Sequence, residues 1–434
     1  MRLVLENIGM LKNAELNLES LSVIAGENDN GNGKSTVGKV VFCIVKAINR
    51  YKEDLQESKE YKINEKLDQV YFDLRRALMT LVDEPTEVIS RVSYLRDPEL
   101  KSDYKLQLLH DDLLDLESRW KIDERSLHAL KQSYSELLKL VNEPENTKKS
   151  IENALNKVFT SEFDSSVLLN GEEQGFIRLF EDDLKLIDIK VSAANKIKLL
   201  SDVEPVELKD ATFIESPLIL NNHDLLIRSQ SGLNLSKRSL SRLGMPYTTL
   251  HTKDLFDKLK ELPLGELFDS EENTVFRDSI HRIVNGEIIY DNDKKDFIFN
   301  KDGKSISIKN TASGIKVFGI LQLLSKNSFL NKNSMLIFDE PENHLHPNWQ
   351  LKLAKILVEL AKNGVYVLVS SHSPYMIEAL KRFSDSADLE QKTGFYLAEN
   401  NTIENRNRLE DTFRILSEPF EIFRKMDEEL LKDE

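Results

Sequence analysis

Apolar and polar residues alternate through the first 25 positions. RLVLENIG and AELNLESLSVIAG read as two strand segments around a short turn, and the second closes on the apolar run from Leu21 to Ala25. A Gly- and Asn-rich stretch follows, GENDNGNGKST (26–36), and then STVGKVVFCIVKAINRYKEDL, where apolar residues dominate and no helix breaker follows Gly38. The predicted order is strand, glycine-rich loop, helix.

The pattern changes at about residue 50. As far as residue 165 glycine is absent, and Leu, Glu, Lys and Asp dominate. Leu106, Leu109, Leu113, Leu116, Trp120, Leu127, Leu130, Tyr134, Leu137 and Val141 step by three and four, with Asp123 the polar interruption. Sustained over about five heptads, this stripe predicts a coiled-coil or helical-hairpin arm; the alternative is the core stripe of an ordinary helical bundle. Pro85, Pro98 and Pro144 mark expected helix ends.

Strand-like segments return near residue 175. DLKLIDIKVS and NKIKLLS alternate, and ATFIESPLIL (211–220) is an apolar run closed by Pro217. Residues 221–280 are mixed and mostly helical. GEIIYDNDKKDFIFNKDGKSISIKN (286–310) reads as three short antiparallel strands with a hairpin turn at Asp302-Gly303. Helix 314–326, strand 334–339, helix 347–363, strand 365–370, helix 373–383 and strand 394–398 then alternate. That order predicts a parallel α/β core. No solenoid period repeats. The expected organisation is an α/β head, 1–50 and 166–434, split by a helical or coiled-coil insertion at 51–165.

Composition narrows the function classes. The 434 residues carry a formal net charge of −15, with 40% hydrophobic and 31% charged positions. A uniformly basic nucleic-acid binder is not expected, although a basic groove can sit inside an acidic total. Cys43, the single cysteine, excludes an internal disulfide and a cysteine-based zinc site, and its apolar neighbours predict a buried structural thiol. No apolar stretch approaches the ~18 residues of a membrane span. The N-terminus MRLVLE reads as a strand, not a signal peptide, so a cytoplasmic location is expected.

Four motifs carry chemistry. In GENDNGNGKST, successive backbone N–H groups backed by a helix N-terminus make an anion cradle, in which Lys34 would reach the β- and γ-phosphates and Ser35 would ligate Mg²⁺. The spacing departs from G-x-x-x-x-G-K-[ST]: five positions before Gly33 stands Asn28, and Gly26 lies two further back. In SMLIFDEPENHLHP (334–347) an apolar strand runs into Asp339 and Glu340, a Walker B pattern in which Asp339 would hold Mg²⁺ and Glu340 would polarise the attacking water as general base. VYVLVSSHSP (365–374) places His372 at a strand tip, where it can meet a γ-phosphate. NTASGIKVFGILQ (310–322) opens a helix with small polar residues. It is either a second anion site or an ordinary N-cap by Ser313.

Their order resembles the ABC-type ATPases of the SMC-like branch, which includes RecF and the OLD proteins. The resemblance covers about 1–50 and 170–400. It implies a two-lobed P-loop ATPase head of α/β class, with ATP and Mg²⁺ as cofactors. Asn30, Gly31, Asn32, Gly33, Lys34, Ser35 and Thr36 take the Walker A role, Asp339 and Glu340 Walker B, and His372 the H-switch. ENHLHP (342–347) looks like the D-loop region. Two heads of this type sandwich two nucleotides, so a head-to-head dimer or higher oligomer is implied, with Ser313 and Gly314 serving as the signature of the partner's site. Within the branch, GEND…GKST, IESP, NTASGIK, DEPENHLHP and SSHSPYMIEAL resemble the PtuA-type ATPase subunits of Septu and retron-associated anti-phage systems. That resemblance implies a separate partner nuclease, of HNH or TOPRIM type, and no nuclease site in this chain. The competing reading is a RecF-like DNA-repair ATPase that clamps nucleic acid directly.

Some features depart from the family pattern. The phosphate loop carries one extra Asn-Gly pair, either Asn30-Gly31 or Asn32-Gly33, which is expected to bulge outward. Ala312 and Ile315 stand where polar residues are usual. No glutamine is assignable to the Q-loop, with Gln174 and Gln69 as the candidates. His344 and His346 are spaced i, i+2, which suggests a D-loop contact or capping before a metal pair. The carboxylates of DSADLE (385–390) read as a solvated loop.

Overall fold

The computed structural model describes residues 1–26, 32–79, 92–97, 99–118, 124–142, 147–164, 166–228, 230–231, 247–261, 279–343, 345–406 and 409–430. The chain divides into two compact units, Met1–Asn49 with Ile151–Glu434, and Arg50–Ser150. Helix Thr147–Phe163, inside the span expected for the insertion, belongs to the larger unit from Ile151 onward.

The strands are β1 (Arg2–Ile8), β2 (Leu11–Asn17), β3 (Leu21–Ala25), β4 (Gln174–Glu181), β5 (Leu184–Ser192), β6 (Ile197–Leu199), β7 (Asp210–Ile214), β8 (Gln230–Ser231), β9 (Tyr247–Thr248), β10 (Glu287–Asp291), β11 (Asp296–Lys301), β12 (Lys304–Ser307), β13 (Ser334–Asp339), β14 (Tyr366–Ser371), β15 (Thr393–Glu399) and β16 (Thr402–Arg406). The helices are α1 (Lys34–Met79), α2 (Ser102–Ser118), α3 (Glu124–Asn142), α4 (Thr147–Phe163), α5 (His223–Arg228), α6 (Leu250–Lys260), α7 (Ser313–Lys326), α8 (Pro347–Lys362), α9 (Pro374–Ser386) and α10 (Leu409–Leu430).

Eleven strands form one mixed sheet in the order β6-β5-β4-β1-β2-β16-β15-β3-β14-β13-β7. At one end β1, β2, β4, β5 and β6 pair antiparallel. At the other, β15, β3, β14, β13 and β7 run parallel. This is the α/β class expected from the alternation. The difference in patterning has a physical cause. β2 alternates buried and exposed residues, whereas β3 and β13 are buried throughout, because helices cover both faces of parallel strands. β10, β11 and β12 form a separate three-stranded sheet. Its turn at Asp302 and Gly303 has φ of 49° and 72°, the two left-handed positions of a tight hairpin. The apolar run 211–220 does not continue as a strand. β7 ends at Ile214, and Pro217 starts a 3-10 turn capped by Ser216.

Packing around α1 sets the helix against the parallel strands. Gly38 lies on α1 where a Cβ would come within 2.7 Å of Phe213 and 2.8 Å of Ile337, so only glycine admits β7 and β13 this close. One turn before Asn49, where the first segment of the larger unit ends, Lys46 pairs with Asp210 at 2.5 Å and Asp254 at 2.7 Å, and Lys258 pairs with Asp210 at 2.6 Å. This buried clasp ties α1 and α6 to the start of β7. Cys43 is fully buried on the same helix, and burial pushes its thiol pKa well up. The thiol is structural, as its surroundings predicted.

In the smaller unit the heptad stripe is divided between α2 and α3, with Trp120 and Asp123 outside the described residues. Leu106, Leu109, Leu113, Leu116, Leu130 and Leu137 are buried with Ile63, Leu67, Val70 and Leu74 of α1. The stripe is thus a shared core between helices.

Candidate functional site

Strand register assembles the site. Ala25 pairs with Ser371, and Ser370 with Asp339, so β3, β14 and β13 finish level at their C-terminal ends. Ligands of open α/β sheets sit at that edge.

From β3 the chain passes Gly26 and enters α1 at Lys34. Gly33 has φ +80°, and a Cβ there would meet Leu11 Cδ2 at 2.4 Å. Glycine is required on both counts. The Lys34 side chain is buried, and its ammonium donates to the Gly26 carbonyl at 2.8 Å and stands 4.0 Å from Glu340 Oε1. Asn32, Gly33, Lys34, Ser35 and Thr36 are among the described residues; Asn30 and Gly31, and with them the expected outward bulge, lie outside them.

β13 is buried along its whole length and ends at Asp339. That carboxylate accepts the hydroxyls of Ser370 and Ser35. Burial raises its pKa above the usual carboxylate range, while the two hydroxyls pull the other way. Glu340 follows with φ +46°, an unusual conformation for a glutamate. Its N–H donates to the Ser370 carbonyl at 3.0 Å, which keeps its backbone at the strand tip. Its carboxylate accepts Asn343 Nδ2 at 3.0 Å and lies 3.6 Å from His372 Nδ1. The His372 hydrogen bond is the main cause that holds the Glu340 pKa down at about 2, against partial burial, with Asn343 and the Lys34 charge assisting. The same bond raises the His372 pKa; burial opposes it and the Glu342 charge adds to it. A carboxylate this acidic is a weak proton acceptor. His372 Nδ1 also stands 3.2 Å from Glu342 Oε1, so the imidazole is shared between Glu340 and the nearer Glu342.

Several participants were not singled out from the sequence. Glu342 is buried, and its Oε1 accepts Ser371 Oγ at 2.8 Å, His372 N–H at 2.7 Å and Ser373 N–H at 3.1 Å. Ser373 Oγ in turn donates to Gln350 Oε1 at 2.7 Å. The available signal was the spacing of Glu342, two residues past Glu340 in DEPEN.

A second cluster adjoins the first. β13 and β7 pair Phe338 with Ile214, so Asp339, the last residue of β13, and Glu215, the first residue past β7, follow that pair at neighbouring strand ends. Glu215 accepts His251 Nε2 at 3.1 Å, and His251 Nδ1 bonds the buried carboxylate of Glu162. The His251 backbone N–H donates to Glu162 Oε2 at 3.1 Å. Burial by itself would lower the imidazole pKa, but the bonds and charges of Glu162 and Glu215 outweigh it and raise the value to about 9. Gln174 opens β4 at the antiparallel end of the sheet and Gln69 belongs to the smaller unit; Glu215 stands at the tip of β7.

Ser313 and Gly314 open α7, with Gly314 packed so that a Cβ would come 2.6 Å from Trp349. They are not part of the hydrogen-bonded cluster around Glu340. Ser313 is not the N-cap; Ala312 is, and no side chain caps it. His346 caps α8 by accepting the Asn348 N–H at 3.3 Å, the capping role considered for it, whereas His344 lies outside the described residues. Asp385 of DSADLE is salt-bridged to Lys381 at 2.6 Å.

The sequence model for the AAA ATPase domain matches residues 1–377 of the chain. The chain belongs to the AAA ATPase domain family. No curated protein matches it significantly. Among solved structures, it is similar to the SMC head domain from Thermotoga maritima, at 10% identity and a TM-score of 0.36, covering 93% of this chain and 96% of that one. It is also similar to the Smc head domain with an extended coiled coil bound to the C-terminal domain of ScpA, derived from Pyrococcus furiosus, at 11% identity and 0.37, covering 96% and 98%. A third is an ATP-binding cassette of an ABC transporter in its ADP conformation, at 13% identity and 0.33, covering 96% of each chain.

An AAA ATPase domain implies ATP, as a rule with Mg²⁺. The donor set fits both. Lys34 holds a buried positive charge on a carbonyl at the loop, where phosphate oxygens would be better acceptors. Asp339 is buried among hydroxyls, and a divalent cation would offset the burial that raises its pKa. No helix among the described residues is long and apolar enough to cross a membrane.

Proposed function

We propose that this AAA ATPase domain is an ATP-driven switch that works as a head-to-head dimer and regulates a separate nuclease in an anti-phage defence complex. The observation that carries the ATP-switch part is the meeting of Lys34, Asp339, Glu340 and His372 at the ends of three adjacent parallel strands. In this reading Asn30 to Thr36 hold the phosphates and Lys34 neutralises the β- and γ-phosphate charge. Ser35 and Asp339 hold Mg²⁺, which when bound draws off charge from the phosphate oxygens. Glu340 orients the attacking water, and His372 senses the γ-phosphate.

Slow turnover is expected in this reading, and the contact of His372 with Glu340 supports it. While His372 stays beside Glu340, its charge favours the ionised carboxylate and weakens it as a base. Any event that draws His372 away raises the Glu340 pKa and releases it to act as base. A switch gains by holding ATP until such an event.

The dimer reading is supported by α7. With no side-chain cap at Ala312, its first-turn N–H groups suit an anion supplied by a partner head, with Ser313 and Gly314 beside it. The nuclease and defence parts rest on the resemblance of IESP, NTASGIK, DEPENHLHP and SSHSPYMIEAL to PtuA-type subunits.

Co-purification with the product of a neighbouring nuclease gene in apo, ADP and ATP states tests the reading. Nucleotide-dependent association is expected. No association in any state, together with salt-dependent binding of DNA duplexes by the isolated chain, would replace it with the DNA-clamp reading.

A further inference from the structure

The ATP reading above uses Asp339 and Glu340 but leaves unexplained the histidine cluster next to them. His251 is 2% exposed and stands between two carboxylates, those of Glu162, itself 4% exposed, and Glu215. A fold needing only a filled core at this place would be served by an apolar residue, since Phe42 and Phe213 already pack on the His251 ring at 6.3 and 4.9 Å. Instead both ring nitrogens are committed. Nδ1 bonds Glu162, whose other oxygen takes the His251 backbone N–H. That double contact fixes the ring, and Nε2 is directed at Glu215 Oε2 at 3.1 Å, with the Thr249 hydroxyl farther away at 3.5 Å.

Glu215 differs from its two partners. Its side chain is 54% exposed, and it follows β7 at the strand end next to that of Asp339, whose carboxyl feels the Glu215 charge. A buried imidazole pinned at one end and holding a half-exposed carboxylate at the other is the arrangement by which proteins orient a group that must meet a ligand.

We propose that Glu215 is a further acidic residue of the nucleotide site, facing the Mg²⁺ of the ATP complex, and that His251, pinned by Glu162, is the positioning residue that aims it. The inference rests on the ATP reading. Glu162 lies on α4, Glu215 follows β7 and His251 lies on α6, so the relay also sets the geometry of these three elements at one point.

The test uses the full chain and a fluorescent ATP analogue. Nucleotide binding is titrated with MgCl₂ against an EDTA control, and thermal unfolding is recorded without nucleotide. Glu215→Gln is compared with the double variant Glu162→Gln/His251→Gln, which removes the relay's charges together and so avoids stranding one of them in the core. The expected result is a rise of roughly ten- to hundred-fold in the Mg²⁺ concentration needed for half-maximal binding in both variants. EDTA-state binding is expected to stay at the wild-type level, with Glu215→Asp recovering part of the loss. A wild-type Mg²⁺ titration in both variants overturns the proposal, even if the double variant unfolds earlier, because that outcome leaves a structural role alone. Lys34→Ala separates the two levels. If wild type and Lys34→Ala bind alike, the nucleotide reading itself has failed and the relay proposal falls with it.

Discussion

Glu342 Oε1 accepts the backbone N–H of His372 at 2.7 Å. Through this contact the β14 tip takes its shape from a side chain on the loop after β13, with Ser371 Oγ and Ser373 N–H bound to the same oxygen. The position of the His372 ring is therefore set by a residue that need not touch nucleotide.

Removing that acceptor strands buried donors. Glu342→Ala is expected to destabilise the chain by about 2–4 kcal/mol, since each buried unsatisfied donor costs roughly 1–3 kcal/mol. Glu342→Gln keeps one acceptor oxygen and should lose less. Chemical denaturation of the two variants checks the ranking; equal losses would mean that the three donors find other partners.

Lys34 and Glu340 separate binding from turnover. Lys34→Ala should abolish nucleotide binding, because it removes the buried cation from the loop. Glu340→Gln should leave binding intact, slow hydrolysis and trap the ATP-bound dimer, seen as a shift in mass by light scattering. Normal ATP binding by Lys34→Ala would remove the Walker A assignment.

His251 sets a pH dependence of stability. Its folded pKa, raised from 6.5 to about 9, means that the folded state binds the proton more tightly than the unfolded chain. The resulting stability is fully present below pH 6.5 and lost as pH rises through 9. At ~1.4 kcal/mol per pH unit the rise is on the order of 3 kcal/mol. The unfolding midpoint should fall between pH 6.5 and 9 in the wild type and fall less in Glu162→Gln/His251→Gln, which keeps the contribution of His372.

Gly38→Ala tests the packing of α1 on the sheet. The added methyl would stand 2.7 Å from Phe213 and 2.8 Å from Ile337, so overpacking should cost about 1–3 kcal/mol. If a midpoint equal to wild type were found in denaturant, the helix would have room to shift outward.

Much of the site was legible as local pattern. GKST after a buried strand, Asp339-Glu340 after another and His372 after a third could all be read one element at a time, because each strand's burial writes its own apolar run and the polar residue that ends it stands out. The hairpin at Asp302-Gly303 was legible for a similar reason: left-handed positions select their residues locally. By contrast, α10 was not read as an element, the strand near residue 175 was read without its antiparallel pairing, and the 106–141 stripe was compatible with an arm or with a bundle core.

What the sequence by itself determined is the order of strand, loop and helix and the chemical types at the strand ends, since these depend on neighbours along the chain. Tertiary structure alone decided that β3, β14, β13 and β7 end level, that Glu342 shapes the turn around His372, and that Glu162, His251 and Glu215 meet. Those contacts join residues 29 to 89 positions apart. No periodicity encodes such pairs; only the register of the folded sheet brings them within hydrogen-bonding distance.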